Sequence, residues 1–507
     1  MTNGGFQGIA MGLALVSAAA PATAVGPAER RTAQALARIK AIDPKVNAVL
    51  ALDPSALGQA RRIDRQRIAG PLAGQPVLIK DNVEVAGMPT TAGSLVLKDN
   101  VTGRDAPIVA RLRGAGMITL GKTNLSEWAN IRSTDSISGW SAVGGQTRNP
   151  FALDRNPCGS SSGSGAAVGA GLVDYAIGTE TDGSVTCPAA INGIVGMKPT
   201  VGLVSRTHIV PISASQDTAG PMTRTVRQAA ELLSAIAGSD AADSATAEAD
   251  ARKVDYAAAL DAGSLKGKRL GVMRFAAGFG TDPAFSAALK LLEARGAVLV
   301  EIKEFDDKDI GKNEFAVLLT ELKAGLNAYL ATTPAAVKSR TLADVIAFNS
   351  ANAGTELALF GQETFVQAEA TKGLGDPDYV KARQVSFTAA GPNGIDKLLK
   401  DNKVVALIGP TMPAAWKIDA VHGDQISGGG AGSLAAVAGY PHLTVPMGQV
   451  KGLPVGLSFI GPKWSEGLIL SLGYAYEQAR GALPGPRFLP SIEASPEIAP
   501  LLAKRVR

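Results

Sequence analysis

The first part of the chain alternates between helical and extended patterns of apolar residues. Amphipathic segments with basic outer faces are separated by short, unbroken apolar runs. The predicted helices are Ala28–Ile42, a segment that Asp53-Pro54-Ser55 caps and that runs through Arg67, and Val109–Gly114. The predicted strands are Asn47–Leu52, Pro76–Ile79 and Met117–Leu120.

The pattern breaks over Ser133–Gly165, which is dense in Gly, Ser, Asn and Pro and therefore opposes long regular elements. A short strand over Asp174–Gly178 and a short helix opened by Pro188 follow. Because loops on a rigid scaffold carry function, we expect the chemistry of this protein between residues 133 and 208.

Strands and helices alternate again in the second half, after a helix over Val226–Gly238 and a polar linker over Asp240–Asp250. The predicted strands are Arg269–Val272, Val298–Ile302, Val404–Ile408, Leu443–Val445 and Val455–Ile460. The predicted helices are Ala284–Ala294, Phe315–Leu330, Tyr379–Ala389 and Ile469–Glu477. This alternation favours a layered α/β domain.

Composition excludes several classes of protein. With 46% hydrophobic and 19% charged residues, the chain is not predicted to be disordered. The net charge of +5 is spread over 507 residues, no run of five Lys or Arg occurs, and aromatic residues make up 5%, so we expect no nucleic-acid partner. Two cysteines and three widely spaced histidines argue against a disulfide scaffold and a metal site.

The N-terminus carries an uncharged apolar run, Ile9–Ala20, which is too short to span a bilayer. It has the length of a signal-peptide core, and Ala22-Thr23-Ala24 resembles a cleavage site, although residues 1–8 contain no Lys or Arg. We expect residues 1–26 to be a signal peptide or a disordered leader, with an ordinary first helix as the alternative, and residues 27–507 to be one domain. A signal peptide would place the protein in the periplasm or outside the cell; otherwise it is cytoplasmic, and no membrane association is expected.

Two segments match known sequence motifs, but the predicted elements around them do not fit either motif. Gly116–Thr123 matches the phosphate-binding pattern G-x-x-x-x-G-K-[ST], but its inner residues are themselves a predicted strand, whereas a phosphate loop follows a strand and opens a helix. Gly159–Gly163 matches the nucleophile elbow G-x-S-x-G, but a turn, and not an apolar strand, precedes it.

A third arrangement uses serine and lysine without histidine. A serine hydroxyl needs a base within hydrogen-bond reach, and a lysine can serve when burial keeps it neutral. Lys80 ends an apolar strand, Ser160 lies in the Gly/Ser loop, and Ser184 follows a turn of small residues in a strand–loop–helix setting suited to an oxyanion hole. Spacing alone does not single out these three residues.

The order of motifs along the chain resembles the amidase signature family. The matching segments are Gly74–Asn82, Gly121–Glu127, Gly159–Gly165, Gly178–Ser184, Pro188-Ala189, Gly196–Thr200, Leu443–Gly448 and Gly452–Leu457. They extend over roughly residues 30 to 480. Within the family, Asn124–Pro150 and Phe360–Glu363 most resemble the bacterial peptide amidases. The resemblance implies an α/β/α fold in which helices sandwich a large mixed central sheet.

The resemblance also implies roles for individual residues. Ser184 corresponds to the nucleophile, Ser160 to a bridging serine that follows a cis peptide bond, and Lys80 to the base. The backbone N–H groups of Thr181, Asp182, Gly183 and Ser184 correspond to the oxyanion hole. Ser161 corresponds to a residue that hydrogen-bonds the lysine, and Thr179 to a supporting hydroxyl.

The sequence departs from the family pattern beside the nucleophile. Many members carry Asp four residues before it and Arg two residues after it, and this chain has Glu180 and Thr186 there. The ion pair that commonly supports the loop is therefore absent or replaced. The peptide amidases share this departure.

The implied reaction is hydrolysis of a carboxamide to a carboxylate and ammonia through an acyl-enzyme, without a metal or organic cofactor. The implied substrate is the C-terminal amide of a peptide. The alternatives are a broad acylamide amidase, a glutamine-hydrolysing component of an amidotransferase and a non-catalytic binding relative. We expect Cys158 and Cys187 to be free thiols rather than a pair. Trp128 and Trp140 are equally consistent with a pocket wall and with packing.

Overall fold

The computed structural model describes residues 1–5 and 25–503. The predicted signal-peptide core, Ile9–Ala20, and the cleavage-like Ala22-Thr23-Ala24 lie outside the described residues. Among the described helices, none combines the length and the apolar character needed to cross a bilayer.

A mixed sheet of eleven strands runs through the centre of the molecule. The strands of the chain are β1 Val49–Leu52, β2 Pro76–Lys80, β3 Ile118–Thr123, β4 Trp140–Ser141, β5 Gly145–Gln146, β6 Tyr175–Glu180, β7 Val195–Lys198, β8 Thr218–Thr223, β9 Arg269–Met273, β10 Val298–Ile302, β11 Ala406–Pro410, β12 His442–Val450 and β13 Leu453–Ile460. The order in the sheet is β1-β3-β2-β6-β8-β7-β12-β13-β11-β9-β10, and β4 and β5 form a separate pair. Strand β2 is parallel to both of its neighbours, whereas β6, β8, β7 and β12 pair in antiparallel fashion.

Helices cover both faces of this sheet. They are α1 Pro27–Val46, α2 Ala56–Gln66, α3 Pro107–Gly114, α4 Ser162–Gly169, α5 Thr186–Ile191, α6 Val226–Ile236, α7 Ala249–Arg252, α8 Asp282–Ala294, α9 Gly311–Ala331, α10 Leu342–Ala351, α11 Ala353–Glu356, α12 Glu363–Glu369, α13 Pro377–Ala390, α14 Lys397–Asn402, α15 Gly432–Val437, α16 Glu466–Arg480 and α17 Ala499–Ala503. The predicted α/β/α architecture with a large mixed sheet is confirmed.

The alternation of side chains along β2 assigns its residues to the two faces. Val77 and Ile79 pack in the core under α3, α6, α8 and α16. Leu78 packs in the core under α1, α2 and α4. Because successive residues of a strand point to opposite faces, Lys80 shares the α4 face with Leu78. The carboxyl end of β2 thus presents a lysine to the segment that opens α4.

The elements predicted from the sequence do not include the central strands β7 and β8 or several of the helices. Strand β8, TAGPMT, has no apolar alternation because it contains Gly and Pro, yet it lies between β6 and β7. Helix α4 forms within the Gly/Ser-rich region. Its glycines allow close approach to neighbouring backbone: a Cβ at Gly163 would lie 2.4 Å from the Ala48 carbonyl oxygen. Tertiary packing therefore overrides local propensity at both places.

Candidate active site

Lys80 lies fully buried at the carboxyl end of β2. Its Nζ lies 2.8 Å from Ser160 Oγ, 2.8 Å from Thr179 Oγ1 and 3.3 Å from the Thr179 carbonyl oxygen. Burial lowers the pKa of Lys80 to about 7, although the carboxylates of Asp217 and Glu180 act in the opposite direction. A substantial fraction of Lys80 is therefore uncharged at neutral pH, as a general base requires.

Ser160 and Ser161 immediately precede α4, and the Gly159–Ser160 peptide bond is cis. The hydroxyl of Ser160 contacts Lys80, as the family resemblance implies. The expected hydrogen bond from Ser161 to Lys80 is not formed. Ser161 Oγ instead donates to the Thr179 carbonyl oxygen at 3.1 Å and accepts from the Thr179 N–H at 3.2 Å. It therefore supports Lys80 only through the backbone of Thr179.

Ser184 ends the loop that connects β6 to α5. Its carbonyl oxygen accepts a hydrogen bond from the Ser161 N–H at 3.2 Å, which places the loop of Ser184 beside the Ser160–Ser161 segment. Within the described residues, the Ser184 hydroxyl forms no hydrogen bond with another protein group, and the residue lines an open cavity. The structure therefore forms the Lys80–Ser160 contact and leaves the Ser184 hydroxyl without a hydrogen-bond partner among the described residues.

The four residues predicted to form the oxyanion hole, Thr181 to Ser184, all line the same cavity. In the described part of the chain, their backbone N–H groups donate to no protein acceptor. Gly183 has a φ of 79°, and nothing lies within 4 Å of the position that a Cβ would take there. Unpaired N–H donors at the wall of a cavity are suited to binding a developing negative charge.

Glu180 supports this loop at the position where the family resemblance leads us to expect an ion pair. The carboxylate is buried, and its Oε2 accepts hydrogen bonds from the Val185 and Thr186 N–H groups at 2.8 and 2.9 Å and from the Thr186 hydroxyl at 3.2 Å. These bonds tie the end of β6 to the start of α5, on either side of Ser184. The predicted departure is thus a replacement of the support, and not its loss.

The cavity in front of Ser184 has a volume of about 420 Å³. Its walls come from residues 129–138, residues 158–187 and the segment 412–433, together with Ile212 and Leu318. Its charged lining residues are both acidic, Asp182 and Asp424. Asp424 accepts from Trp416 Nε1 and Asn156 Nδ2, both at 2.9 Å, and from the Ser138 N–H at 3.1 Å. It therefore anchors the distant 412–433 segment against the serine loops.

A disulfide bond joins Cys158 to Cys187, and the expectation of free thiols is wrong. The two Cα atoms lie 6.1 Å apart: Cys158 lies two residues before Ser160, and Cys187 lies in the first turn of α5, three residues after Ser184. The separation of 29 residues in sequence does not indicate that the two cysteines are close in space. The bond covalently links the segments that carry the two serines.

Breaking this bond is expected to lower stability and activity together. The bond spans 29 residues of sequence, for which chain entropy gives about 3–4 kcal/mol of stabilisation. We expect the double variant Cys158→Ala/Cys187→Ala to unfold at lower denaturant concentration and to lose about tenfold in kcat, because the two serine segments lose their covalent link. Denaturant titration and ammonia release measure the two effects. Full stability and activity in this variant would contradict the prediction.

Trp128 is buried and Trp140 is half-buried, and neither lines the cavity in front of Ser184. The Trp128 ring contacts Phe365 edge-on at 5.6 Å, and the Trp140 ring contacts Phe360 at 5.2 Å. Their role is therefore packing. In the described ranges, no group of three or more His, Cys, Asp or Glu side chains is arranged to hold a metal ion.

Sequence reasoning assigned no role to Asn82 and Asp217. Asn82 Nδ2 donates to Thr179 Oγ1 at 2.9 Å, and Asp217 Oδ1 accepts from Thr181 Oγ1 at 2.5 Å. Asn82 belongs to a matched motif, so its position next to Lys80 was a usable signal. Asp217 lies in a polar segment before β8, where nothing in the sequence marks it.

The comparison with known families agrees with the fold and with the motifs. The model of the family described as Amidase matches residues 30–470. The chain belongs to the amidase family. The resemblance predicted from the motifs is confirmed, and the protein is an enzyme of the amide hydrolase class.

Several members of the amidase family, which act on different substrates by name, match along nearly the whole chain. The native peptide amidase of Stenotrophomonas maltophilia has 51% sequence identity and a TM-score of 0.87, and the match covers 91% of this chain and 95% of that one. A probable amidase of Arabidopsis thaliana is 39% identical over 472 residues, which are 90% of this chain and 87% of the relative. A component of the glutamyl-tRNA(Gln) amidotransferase of Pseudomonas putida is 35% identical over 482 residues, 89% of this chain and 93% of the relative.

Proposed function

We propose that this amidase hydrolyses the C-terminal carboxamide of peptides to a carboxylate and ammonia, with Ser184, Ser160 and Lys80 as its catalytic triad. The observation that carries the triad is the 2.8 Å contact between the buried Lys80 amine and Ser160, next to the loop of Ser184. No other lysine among the described residues makes a hydrogen bond to Ser160 or Ser184.

Acylation begins when neutral Lys80 takes the proton of Ser160 while Ser160 takes the proton of Ser184. The step needs a rotation of the Ser184 side chain toward Ser160. The Ser184 oxygen then attacks the amide carbon, and the unpaired N–H groups of residues 181–184 stabilise the oxyanion. The same relay returns a proton to the leaving nitrogen, so that ammonia departs and an ester with Ser184 remains.

Deacylation reverses these roles. A water molecule attacks the ester carbon, and its proton passes through Ser160 to Lys80. The oxyanion collapses, the carbon–oxygen bond to Ser184 breaks, and Ser184 recovers a proton from the relay. The cycle consumes one water and one amide and leaves Lys80 in its starting protonation state.

The substrate class is supported by similarity and by the shape of the site. The match to a peptide amidase is the one with the highest identity among the three relatives described above. A cavity of about 420 Å³ has the size of sites for small ligands or short peptide ends. Two candidates compete: a broad-specificity acylamide amidase, and a glutamine-hydrolysing component of an amidotransferase, which the Pseudomonas putida relative supports.

Ammonia release from a small panel of amides separates these candidates. We expect a dipeptide amide to be hydrolysed with a kcat/KM well above that of a simple aliphatic amide or of free glutamine, and the internal peptide bond to stay intact. Equal rates on all amides would favour the broad amidase. A preference for glutamine would overturn the proposal in favour of the amidotransferase component.

We also propose a periplasmic or extracellular location. The Cys158–Cys187 bond supports it, because structural disulfides persist in oxidising compartments and are rare in the cytosol. Fractionation of cells that express the full chain tests this location, and a purely cytosolic protein would overturn it.

Activity should depend on pH through the Lys80 amine. Because its pKa is lowered to about 7 by burial, and only the neutral amine accepts a proton, kcat/KM is expected to rise between pH 5 and 8. Two pH units below that pKa about 1% of the amine is neutral, so activity should fall about a hundredfold there. A profile of kcat/KM on a neutral dipeptide amide, which does not itself titrate, measures this. A flat profile would contradict a lysine base.

A further inference from the structure

A small cavity lies beside the hydrogen-bond partners of Lys80. It has a volume of about 30 Å³, and its lining includes Asn82, Thr179, Thr181 and Asp217. Asn82 is 4% exposed, and its Oδ1 has no hydrogen-bond partner among the described residues. This volume is enough for one water molecule, and the wall offers several polar partners.

The hydrogen bonds around Thr179 determine which way its hydroxyl can act. A hydroxyl has one donor and two acceptor positions. Thr179 Oγ1 lies 2.8 Å from Lys80 Nζ and 2.9 Å from Asn82 Nδ2, and the latter group can only donate. The Thr179 hydroxyl can then donate its hydrogen either to Lys80 Nζ or to an acceptor in the small cavity.

This choice decides whether Lys80 can act as a base. A neutral lysine amine has two N–H donors and one lone pair. The Thr179 carbonyl oxygen takes one N–H at 3.3 Å, because a carbonyl can only accept. If the Thr179 hydroxyl accepts the other N–H, the lone pair points to Ser160. If that hydroxyl instead donates to Lys80, it occupies the lone pair of the Lys80 amine. Lys80 then presents an N–H to Ser160, and it cannot accept the Ser160 proton.

We propose that Asn82, together with one water molecule bound in the small cavity, is a positioning residue that holds the Thr179 hydroxyl as an acceptor toward Lys80. The water accepts from the Thr179 hydroxyl and donates to Asn82 Oδ1. Asn82 Nδ2 occupies one lone pair of Thr179, and the other receives an N–H of Lys80. The lone pair of Lys80 is thereby reserved for Ser160. This inference rests on the proposed role of Lys80 as the base.

The electrostatic surroundings of Lys80 make the inference testable through pH. The charged groups that act on Lys80 are Asp217, from the segment before β8, and Glu180, from β6. Asn82 contributes no charge of its own, and it does not line the cavity in front of Ser184. A carboxylate at position 82 would accept a hydrogen bond from the Thr179 hydroxyl and would add a third negative group beside Lys80.

The experiment compares Asn82→Asp and Asn82→Leu with the wild type over the pH range of activity. We expect Asn82→Asp to move the rising limb of kcat/KM upward by about one pH unit or more, because a nearby negative charge favours the ammonium form. Activity should recover at higher pH, and KM should not change. Asn82→Leu leaves the Thr179 hydroxyl free to donate to Lys80, so kcat should fall about tenfold or more. A crystal structure is expected to place a water within hydrogen-bond distance of Asn82 Oδ1 and Thr179 Oγ1.

The matched control is Asn349→Asp on α10. Asn349 is also fully buried, and its Oδ1 also has no partner among the described residues, but it bonds Gln362 and not the Lys80 network. We expect this control to lose stability and to keep the wild-type pH profile. A wild-type profile in Asn82→Asp, wild-type kcat in a folded Asn82→Leu, or a dry cavity would each overturn the inference. These results leave the proposed triad intact, whereas an active Lys80→Met variant would remove the triad itself.

Discussion

Replacing Ser184 with alanine is expected to lower kcat for ammonia release by at least about 10³-fold, because loss of a nucleophile leaves only binding and oxyanion stabilisation. The side chain is short and lines the cavity, so its removal takes away one hydroxyl and creates little empty space. Stability should therefore stay close to that of the wild type. The acyl-enzyme should also disappear: mass spectrometry of rapidly quenched reactions should show an adduct on the wild type only.

Ser433→Ala is the matched control for this variant. Ser433 lines the same cavity and donates to Asp182 at 3.1 Å, but it makes no hydrogen bond with Lys80 or Ser160. Its replacement should cost less than about tenfold in kcat, as the loss of an exposed hydrogen bond does. If Ser184→Ala releases ammonia at a rate similar to that of Ser433→Ala, the nucleophile is a different group.

Replacing Lys80 with methionine should cost about 10²–10⁴-fold in kcat, the range that a general base contributes. Methionine fills a similar volume in the buried site and removes the amine. Lys80→Arg retains a positive charge that cannot be removed at accessible pH, so it should be as inactive as Lys80→Met at every pH. The two variants together separate the need for a base from the need for a charge.

Lys198→Met provides the comparison within the same region. Lys198 is a second fully buried lysine, burial lowers its pKa to about 8, and among the described residues its Nζ donates only to the Pro199 carbonyl oxygen. We expect Lys198→Met to lower the free energy of unfolding, because Glu180 loses a nearby positive charge, and to keep the pH profile of the wild type. A Lys80→Met variant with more than a tenth of wild-type activity would contradict the proposed base.

The local sequence carries much of the scaffold that positions Lys80. The apolar run before it is fully buried as β2, as predicted, because uninterrupted apolar residues favour a strand covered on both faces. The motif order also predicted the contact between Lys80 and Ser160, which are eighty residues apart in sequence. The prediction of that contact came from the family resemblance, because the spacing of serines and lysines in the sequence does not indicate their distance in space.

Other parts of the site could not be predicted from the sequence, because they depend on which remote segments are in contact in the folded chain. Cys158 and Cys187 pair because the fold brings the loop before α4 and the first turn of α5 together, with the two Cα atoms 6.1 Å apart. Ser161 hydrogen-bonds the carbonyl oxygen and the N–H of Thr179 and makes no hydrogen bond with Lys80. Asp424 reaches Ser138 from 286 residues away, and no periodic pattern marks such a contact.

The sequence by itself determined the class of the domain, the burial of β2 and, through its motifs, the family, and it led to the residues that are proposed here as reactive. These properties follow from side-chain chemistry and local periodicity, which are present in the chain before it folds. The tertiary structure alone decided the lowered pKa of Lys80, the disulfide bond and the hydrogen-bond partners of the Thr179 hydroxyl. Each of these depends on desolvation or on distances between remote segments, and such quantities exist only after the eleven strands have assembled.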